Sequence, residues 1–152
     1  MLDAHVTVAA LVEREGRFLC VEEEVAGALV INQPAGHLEA GETLLGAVCR
    51  ETLEETAWHF TPAALLGIYH YKSASGTTYL RFAFIGTVSG HDPARTLDAG
   101  IRQALWLDET ELRARKAQHR GPQVLRAITD YRRGQRYPLE ILAHLGDAPM
   151  TP

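Results

Sequence analysis

Three glutamates on one short segment, set behind a glycine-bearing loop, constrain this chain more than any other feature. Thr43–Thr56 contains no proline and a single glycine, which predicts a helix. Thr43 or the adjacent Glu42 is placed to serve the open amides of its first turn. With Glu51 set at zero and 100° per residue, Glu55 falls at about +40° and Glu54 at about −60°. The three carboxylates therefore share one arc. Leu45, Cys49, Thr52 and Thr56 fall on a different arc, centred past about 100°, which can face a core. The segment Gly36-His37-Leu38-Glu39-Ala40-Gly41-Glu42 runs into this helix.

Like charges at this spacing repel and weaken an isolated helix. Something must compensate them. Arg50 is adjacent and can pair with one of the carboxylates, or with Glu42 across the loop. A hard divalent cation is the other natural compensator, because clustered carboxylates and backbone carbonyls suit Mg²⁺. Glycine in the loop lets backbone approach closely, so a carbonyl can join the coordination. Held so, Mg²⁺ can clamp a diphosphate and stabilise charge on the leaving phosphate. A Glu-rich helix face is also an ordinary solvated surface, and charge spacing alone leaves both readings open.

The remaining sequence predicts one domain over residues 1–152, long enough to bury one sizeable core. A composition 46% hydrophobic and 22% charged excludes a disordered, collagen-like or disulfide-dense chain. The net charge of −4 argues against nucleic-acid backbone binding, while permitting a local basic pocket. The longest apolar run, near Val6–Val12, is far short of the ~20 residues of a membrane helix. Met1-Leu2-Asp3-Ala4-His5 has no basic run ahead of an apolar one, so no secretory leader and no membrane partner are expected. Cys20 and Cys49 form no paired ligand motif and read as two reduced, buried thiols of a cytoplasmic protein.

Strands are expected over His5–Val12, Arg17–Glu22, Ala28–Ile31, Leu65–Lys72, Thr78–Val88 and Arg102–Leu107. The first two, joined through Arg14-Glu15-Gly16, read as a hairpin, and so do the fourth and fifth, joined through Ser73-Ala74-Ser75-Gly76-Thr77. Ser89–Gly100 reads as a loop, and Glu109–Ala117 and Pro122–Arg133 as helices. Strands and helices mix without regular alternation, which argues for an α+β fold: a mixed β-sheet sandwiched between helices. Arg81 lies mid-strand between Leu80 and Phe82, so it needs an anion, either a structural ion-pair partner or a phosphate. His37 reads as a loop-packing residue and Trp106 as core. Arg136-Tyr137 either holds phosphate or the organic group of a ligand, or docks the tail.

Gly36-x5-Glu42-x7-Arg50-Glu51-Thr52-x-Glu54-Glu55-x-Ala57-Trp58 resembles the Nudix box, G-x5-E-x7-R-E-U-x-E-E-x-G-U with U apolar. Gly36, Glu42, Arg50, Glu51, Glu54 and Glu55 match. Thr52 stands where the pattern has an apolar residue, and Ala57 where it has its last glycine. His5-Val6-Thr7-Val8-Ala9, Asn32–Ala40, Leu80-Arg81-Phe82 and Gly134–Glu140 are similar to the NudJ-type branch of small Nudix phosphatases, with Ile31 at a position aromatic in that branch.

The resemblance implies a Nudix-type α/β/α sandwich with a loop–helix–loop over Gly36–Trp58. It implies Glu51 and Glu55 as main Mg²⁺ ligands, Glu54 as a further one, direct or through water, and the Gly36 carbonyl as another, with Mn²⁺ as a possible substitute metal. Arg50 would orient a carboxylate, Glu42 would brace the loop, and Glu54, Arg50 and Glu42 would serve catalysis. Asp98 would be the acidic residue that many members add from a late loop; Arg81, Arg136 and Tyr137 would contact substrate. The implied activity is release of phosphate from organic pyrophosphates: nucleoside tri- and diphosphates, and the hydroxymethylpyrimidine pyrophosphate of thiamine biosynthesis. A nucleoside diphosphate-X pyrophosphatase, such as an ADP-sugar hydrolase, and a catalytically silent ligand-binding module are the alternatives. The expected partner is a small organic pyrophosphate, with the chain a monomer or a homodimer.

Overall fold

Val8, Ala9, Ala10, Leu11 and Val12 are all at most 2% exposed. Successive strand side chains point to opposite faces, so a strand buried at every position must be covered on both. The computed structural model, which describes residues 1–146, shows how. Residues 147–152 of the expected domain lie outside the described residues. Strand β1 (Ala4–Leu11) lies in a four-stranded sheet with β5 (Ala35–His37), β6 (His59–Lys72) and β7 (Thr78–Ser89). The order is β5-β1-β7-β6, with β1 and β7 parallel and the other pairs antiparallel. A second, antiparallel sheet holds β2 (Glu13–Arg14), β3 (Arg17–Val25), β4 (Ala28–Asn32) and β8 (Ile101–Asp108).

Two cores flank these sheets. Val8, Ala10, Leu19, Leu65 and Phe84 pack with Leu45, Ala47 and Val48 of α1 (Leu44–Thr56). Ala9, Leu11, Phe18, Leu66 and Ala83 pack with Leu112 of α2 (Glu109–Ala114) and with Ala127 and Ile128 of α3 (Gln123–Arg132). The fold is therefore an α/β/α sandwich of α+β class. Full burial of side chains such as Phe18, Leu66 and Phe84 contributes roughly 1.5–3 kcal/mol each.

Three sequence expectations are corrected. First, the mixed sheet is joined by a second sheet, and β1 does not form the expected hairpin with β3. The chain leaves the first sheet at Val12, and a tighter hairpin of β2 with β3 turns through Glu15 and Gly16, both at positive φ. Second, β6 starts at His59 and contains Pro62. A proline is tolerated there because β6 is the sheet edge and the register shifts between Pro62 and Ala64. Third, α2 ends at Ala114, and Lys116–Gln118 forms a separate 3₁₀ turn. The α2 start carries a reciprocal capping box of Asp108 and Glu111.

Candidate active site

Helix α1 delivers the acidic groups. Its N-cap is Thr43, whose Oγ1 accepts from the Gly46 amide at 3.0 Å. Glu42 is thereby free for another role. Thr52, where an apolar residue was expected, is fully buried because its hydroxyl donates to the Val48 carbonyl one turn back, at 2.7 Å. Leu45 and Thr56 are buried with it on the core arc, and Cys49 is half-buried, its Sγ donating to the Phe60 carbonyl. The helix ends at Ala57 in the left-handed conformation, φ 62°, a geometry costing an alanine about 1–2 kcal/mol. That is the position where the motif has glycine.

Arg50 ties the acidic groups together. Its Nε and Nη2 donate to the two oxygens of Glu42 at 2.6 and 2.9 Å. Its Nη1 donates to Glu51 at 2.8 Å and Glu54 at 3.0 Å, and Nη2 also reaches the His37 carbonyl at 3.0 Å. The bidentate pair holds the Glu42 carboxyl below the usual carboxylate range and pushes the Arg50 pKa further up. Burial raises the Glu51 carboxyl, against the pull of Arg50. Glu42 also accepts from the Glu39 amide, which fixes the loop ahead of the helix.

The loop after β7 completes the group. The Asp98 amide donates to the Glu54 carbonyl at 3.0 Å, and the Asp92 amide to the Ala57 carbonyl at 3.0 Å. These bonds seat the loop on the end of α1. One carboxylate oxygen each from Glu51, Glu54 and Asp98 then lies within 4.8 Å of the others. Glu55 stands apart from that triplet: it is 8% exposed and accepts from the Ala35 amide at 2.9 Å. Burial lifts its carboxyl to about 8, with the charges of Glu51, Glu23 and Asp98 adding to the rise. Gly36 lies against Glu51, where any Cβ would sit 2.1 Å from Glu51 Cδ. An all-oxygen set that one arginine only partly neutralises, around a backbone cradle with no room for a methyl, fits a hard divalent cation.

A cavity of about 720 Å³ opens beside these groups. Gly36, Glu51 and Glu55 line one side of it, and Arg81 and Gln123 also line it. Arg81 is 2% exposed, and burial pulls its pKa down. It makes no salt bridge among the described residues; its Nη2 donates instead to Asn32 Oδ1 at 3.2 Å and Gln33 Oε1 at 2.8 Å. Tyr71 and Tyr79, which also line the cavity, stack with ring centroids 5.3 Å apart. His37 lines the cavity and shares a hydrogen bond of 2.9 Å with His5.

The structure thus brings Gly36, Glu42, Arg50, Glu51, Glu54, Glu55, Asp98 and Arg81 to one region. It does not bring Arg136 and Tyr137 there. Both are exposed and neither lines the cavity. Tyr137 exchanges two backbone hydrogen bonds with Leu65, at 2.9 and 2.8 Å, so this segment docks on the β6 edge. Ile31 is core, 1% exposed, and offers no face to a ligand, whereas the aromatic residues Tyr71 and Tyr79 line the cavity. Trp106 is half-buried rather than fully core, its ring 6.2 Å from that of Trp58 with Arg14 over both. Sequence reasoning missed Tyr71, Tyr79 and Arg120, and no local spacing marks them. Arg120 pairs with Glu23 at 2.6 Å on the cavity wall.

The NUDIX domain family model matches residues 2–128. The chain belongs to the NUDIX family. Phosphatase NudJ of Escherichia coli strain K12 is 39% identical over 142 residues, which cover 93% of this chain and 92% of that protein. A NUDIX hydrolase from Nitrosomonas europaea superposes with a TM-score of 0.92 at 52% identity, covering 94% of this chain and 98% of that one. The NUDIX domain of Shewanella oneidensis NrtR, crystallised with ADP ribose, shares the fold at a TM-score of 0.68 and 17% identity. As a NUDIX hydrolase the protein acts on pyrophosphate bonds. No helix among the described residues is long and apolar enough to cross a membrane.

Proposed function

We propose that this protein is a Mg²⁺-dependent phosphohydrolase that releases phosphate from organic pyrophosphates: nucleoside tri- and diphosphates and hydroxymethylpyrimidine pyrophosphate. One observation carries the reading: a single cavity is lined by the carboxylates Glu51 and Glu55, with Glu54 and Asp98 close behind Glu51, and by the buried Arg81 guanidinium, which has no salt-bridge partner among the described residues. Carboxylates suit a cation, the guanidinium suits an anion, and a metal-bound phosphate chain supplies both.

Glu51, Glu54, Glu55 and the Gly36 carbonyl would hold Mg²⁺, or Mn²⁺ in its place, and Asp98 joins them from its loop. When bound, the cation supplies charge neutralisation at the phosphate under attack. Arg50 and Glu42 fix the carboxylates, so little reorganisation is left for the reaction itself. Arg81 contacts a substrate phosphate, while Tyr71 and Tyr79 offer a flat face to the organic group. These groups belong to one chain, so the monomer suffices. Cys20 and Cys49 are unbridged, in keeping with a reducing cytoplasm.

A panel of organic phosphates incubated with Mg²⁺ tests the reading. Orthophosphate as first product from several nucleotides and from the pyrimidine pyrophosphate is the expected result. The room in the cavity favours one second reading, a nucleoside diphosphate-X pyrophosphatase. Release of a nucleoside monophosphate from an ADP-sugar, with no orthophosphate from triphosphates, selects it. No turnover on any of them overturns this choice of substrates.

A further inference from the structure

A guanidinium placed as deeply as Arg81 is costly to bury without an anion beside it. Its hydrogen-bond partners are neutral. Gln33 is 2% exposed and Asn32 7%, and both direct side-chain amide oxygens at Arg81 Nη2. Gln33 is itself anchored, its Nε2 donating to the Val124 carbonyl of α3 at 2.9 Å. The cradle therefore links β7, the end of β4 and α3. Thr7 pairs with Arg81 in the β1–β7 register, and its Oγ1 is buried without a partner on the same cavity floor. A buried hydroxyl without a partner, at the position paired with Arg81, is open to a polar group that enters the cavity.

We infer that Asn32 and Gln33 are positioning residues: they hold Arg81 in place by neutral hydrogen bonds, so that its charge stays available to a phosphate group of the substrate. The nature of that substrate rests on the pyrophosphate-hydrolysis reading above. Neutrality is the essential property of the cradle. Amide oxygens orient a guanidinium without cancelling its charge, whereas a carboxylate at either position would pair with Arg81 permanently and shut the socket to phosphate. Tyr71 and Glu55 line the same cavity, and Glu55 when ionised acts on Arg81 by charge. Neither forms a salt bridge with it.

Asn32→Asp tests this directly, because it adds a charge at the oxygen 3.2 Å from Arg81 Nη2 with almost no change of shape. The variant should keep or raise its melting temperature. Its KM for an organic pyrophosphate should rise about tenfold or more while kcat stays within about threefold. Calorimetric binding of inorganic pyrophosphate in metal-free buffer should weaken by a similar factor, and Arg81→Gln should weaken it likewise. Gln33→Glu places the charge from the other side and gives the same readout should Asn32→Asp fail to fold. Pyrophosphate binding within twofold of wild type in the folded carboxylate variant overturns the inference. The two readings fail separately. Weakened binding in a protein that hydrolyses nothing sinks the catalytic proposal alone, and unchanged binding in an active enzyme sinks the socket alone.

Discussion

The Glu51 carboxylate rests on the bare α-carbon of Gly36: a Cβ there would stand 2.1 Å from Glu51 Cδ and 2.2 Å from Oε1. Strand β5 and helix α1 approach this closely because one partner has no side chain. Gly36→Ala should therefore push Glu51 out of place. The expected outcome is a loss of metal affinity and at least a tenfold fall in kcat, with roughly 1–3 kcal/mol of destabilisation from overpacking. Metal titration and denaturant unfolding of the variant check both parts, and wild-type kcat in Gly36→Ala would show that Glu51 can move without consequence.

Arg50 pairs with Glu42, Glu51 and Glu54 at once and offsets part of their charge. Lysine cannot reproduce its forked contacts. Arg50→Lys should destabilise the metal-free protein by about 1–3 kcal/mol, since a partly buried carboxylate cluster loses most of its compensation. Added Mg²⁺ or Mn²⁺ should recover part of that loss by binding the folded state. Thermal shift with and without metal measures it; a variant that metal leaves unchanged would separate Arg50 from the metal site.

Glu55 makes stability depend on pH when no metal is bound. Its carboxyl rises from the ordinary 4.5 to about 8 in the folded chain. The folded state thus binds the proton more tightly than the unfolded state. That stabilisation is fully present below the unfolded pKa and is lost as pH rises through about 8. At about 1.4 kcal/mol per pKa unit the loss amounts to about 4 kcal/mol, or roughly 8–16 °C in Tm between pH 5 and 9. Glu55→Gln keeps the bond from the Ala35 amide and should flatten the profile, while removing most turnover in the presence of Mg²⁺. Calorimetry of both metal-free proteins across this range is the measurement, and parallel profiles would contradict the assignment.

Asp98 reaches the cluster only because its loop is tied to α1 through the Glu54 and Ala57 carbonyls. Asp98→Asn leaves those backbone bonds in place and removes one negative charge. Metal affinity should fall by about tenfold with Tm of the metal-free protein unchanged or slightly raised, because like-charge repulsion is relieved. Isothermal titration with Mn²⁺ decides this, and an unaltered affinity would remove Asp98 from the ligand set.

The helix, its buried arc and the placing of Glu51, Glu54 and Glu55 within one arc were legible in the sequence, because they follow from a local 3.6-residue period; the structure chose Thr43 over Glu42 as the cap and set Glu55 apart from Glu51 and Glu54. Arg50 as compensator was legible for the same reason: its partners sit one and four residues along and across one short loop. The sandwich class was legible from the mix of strands and helices without regular alternation and from the family resemblance. The rest came from the tertiary structure. Strand register set Thr7, Tyr71 and Tyr79 around Arg81; Asn32 and Gln33, at and just after the end of β4, supplied the amides that hold it, with Gln33 anchored on α3; and a loop docked on α1 brought in Asp98, which the sequence named only through the family resemblance. It also moved Arg136 and Tyr137 to the β6 edge and Ile31 into the core. The reason is physical. A helix fixes side-chain directions from sequence spacing, whereas a cavity wall is assembled from segments dozens of residues apart, and their meeting is set by sheet pairing and core packing.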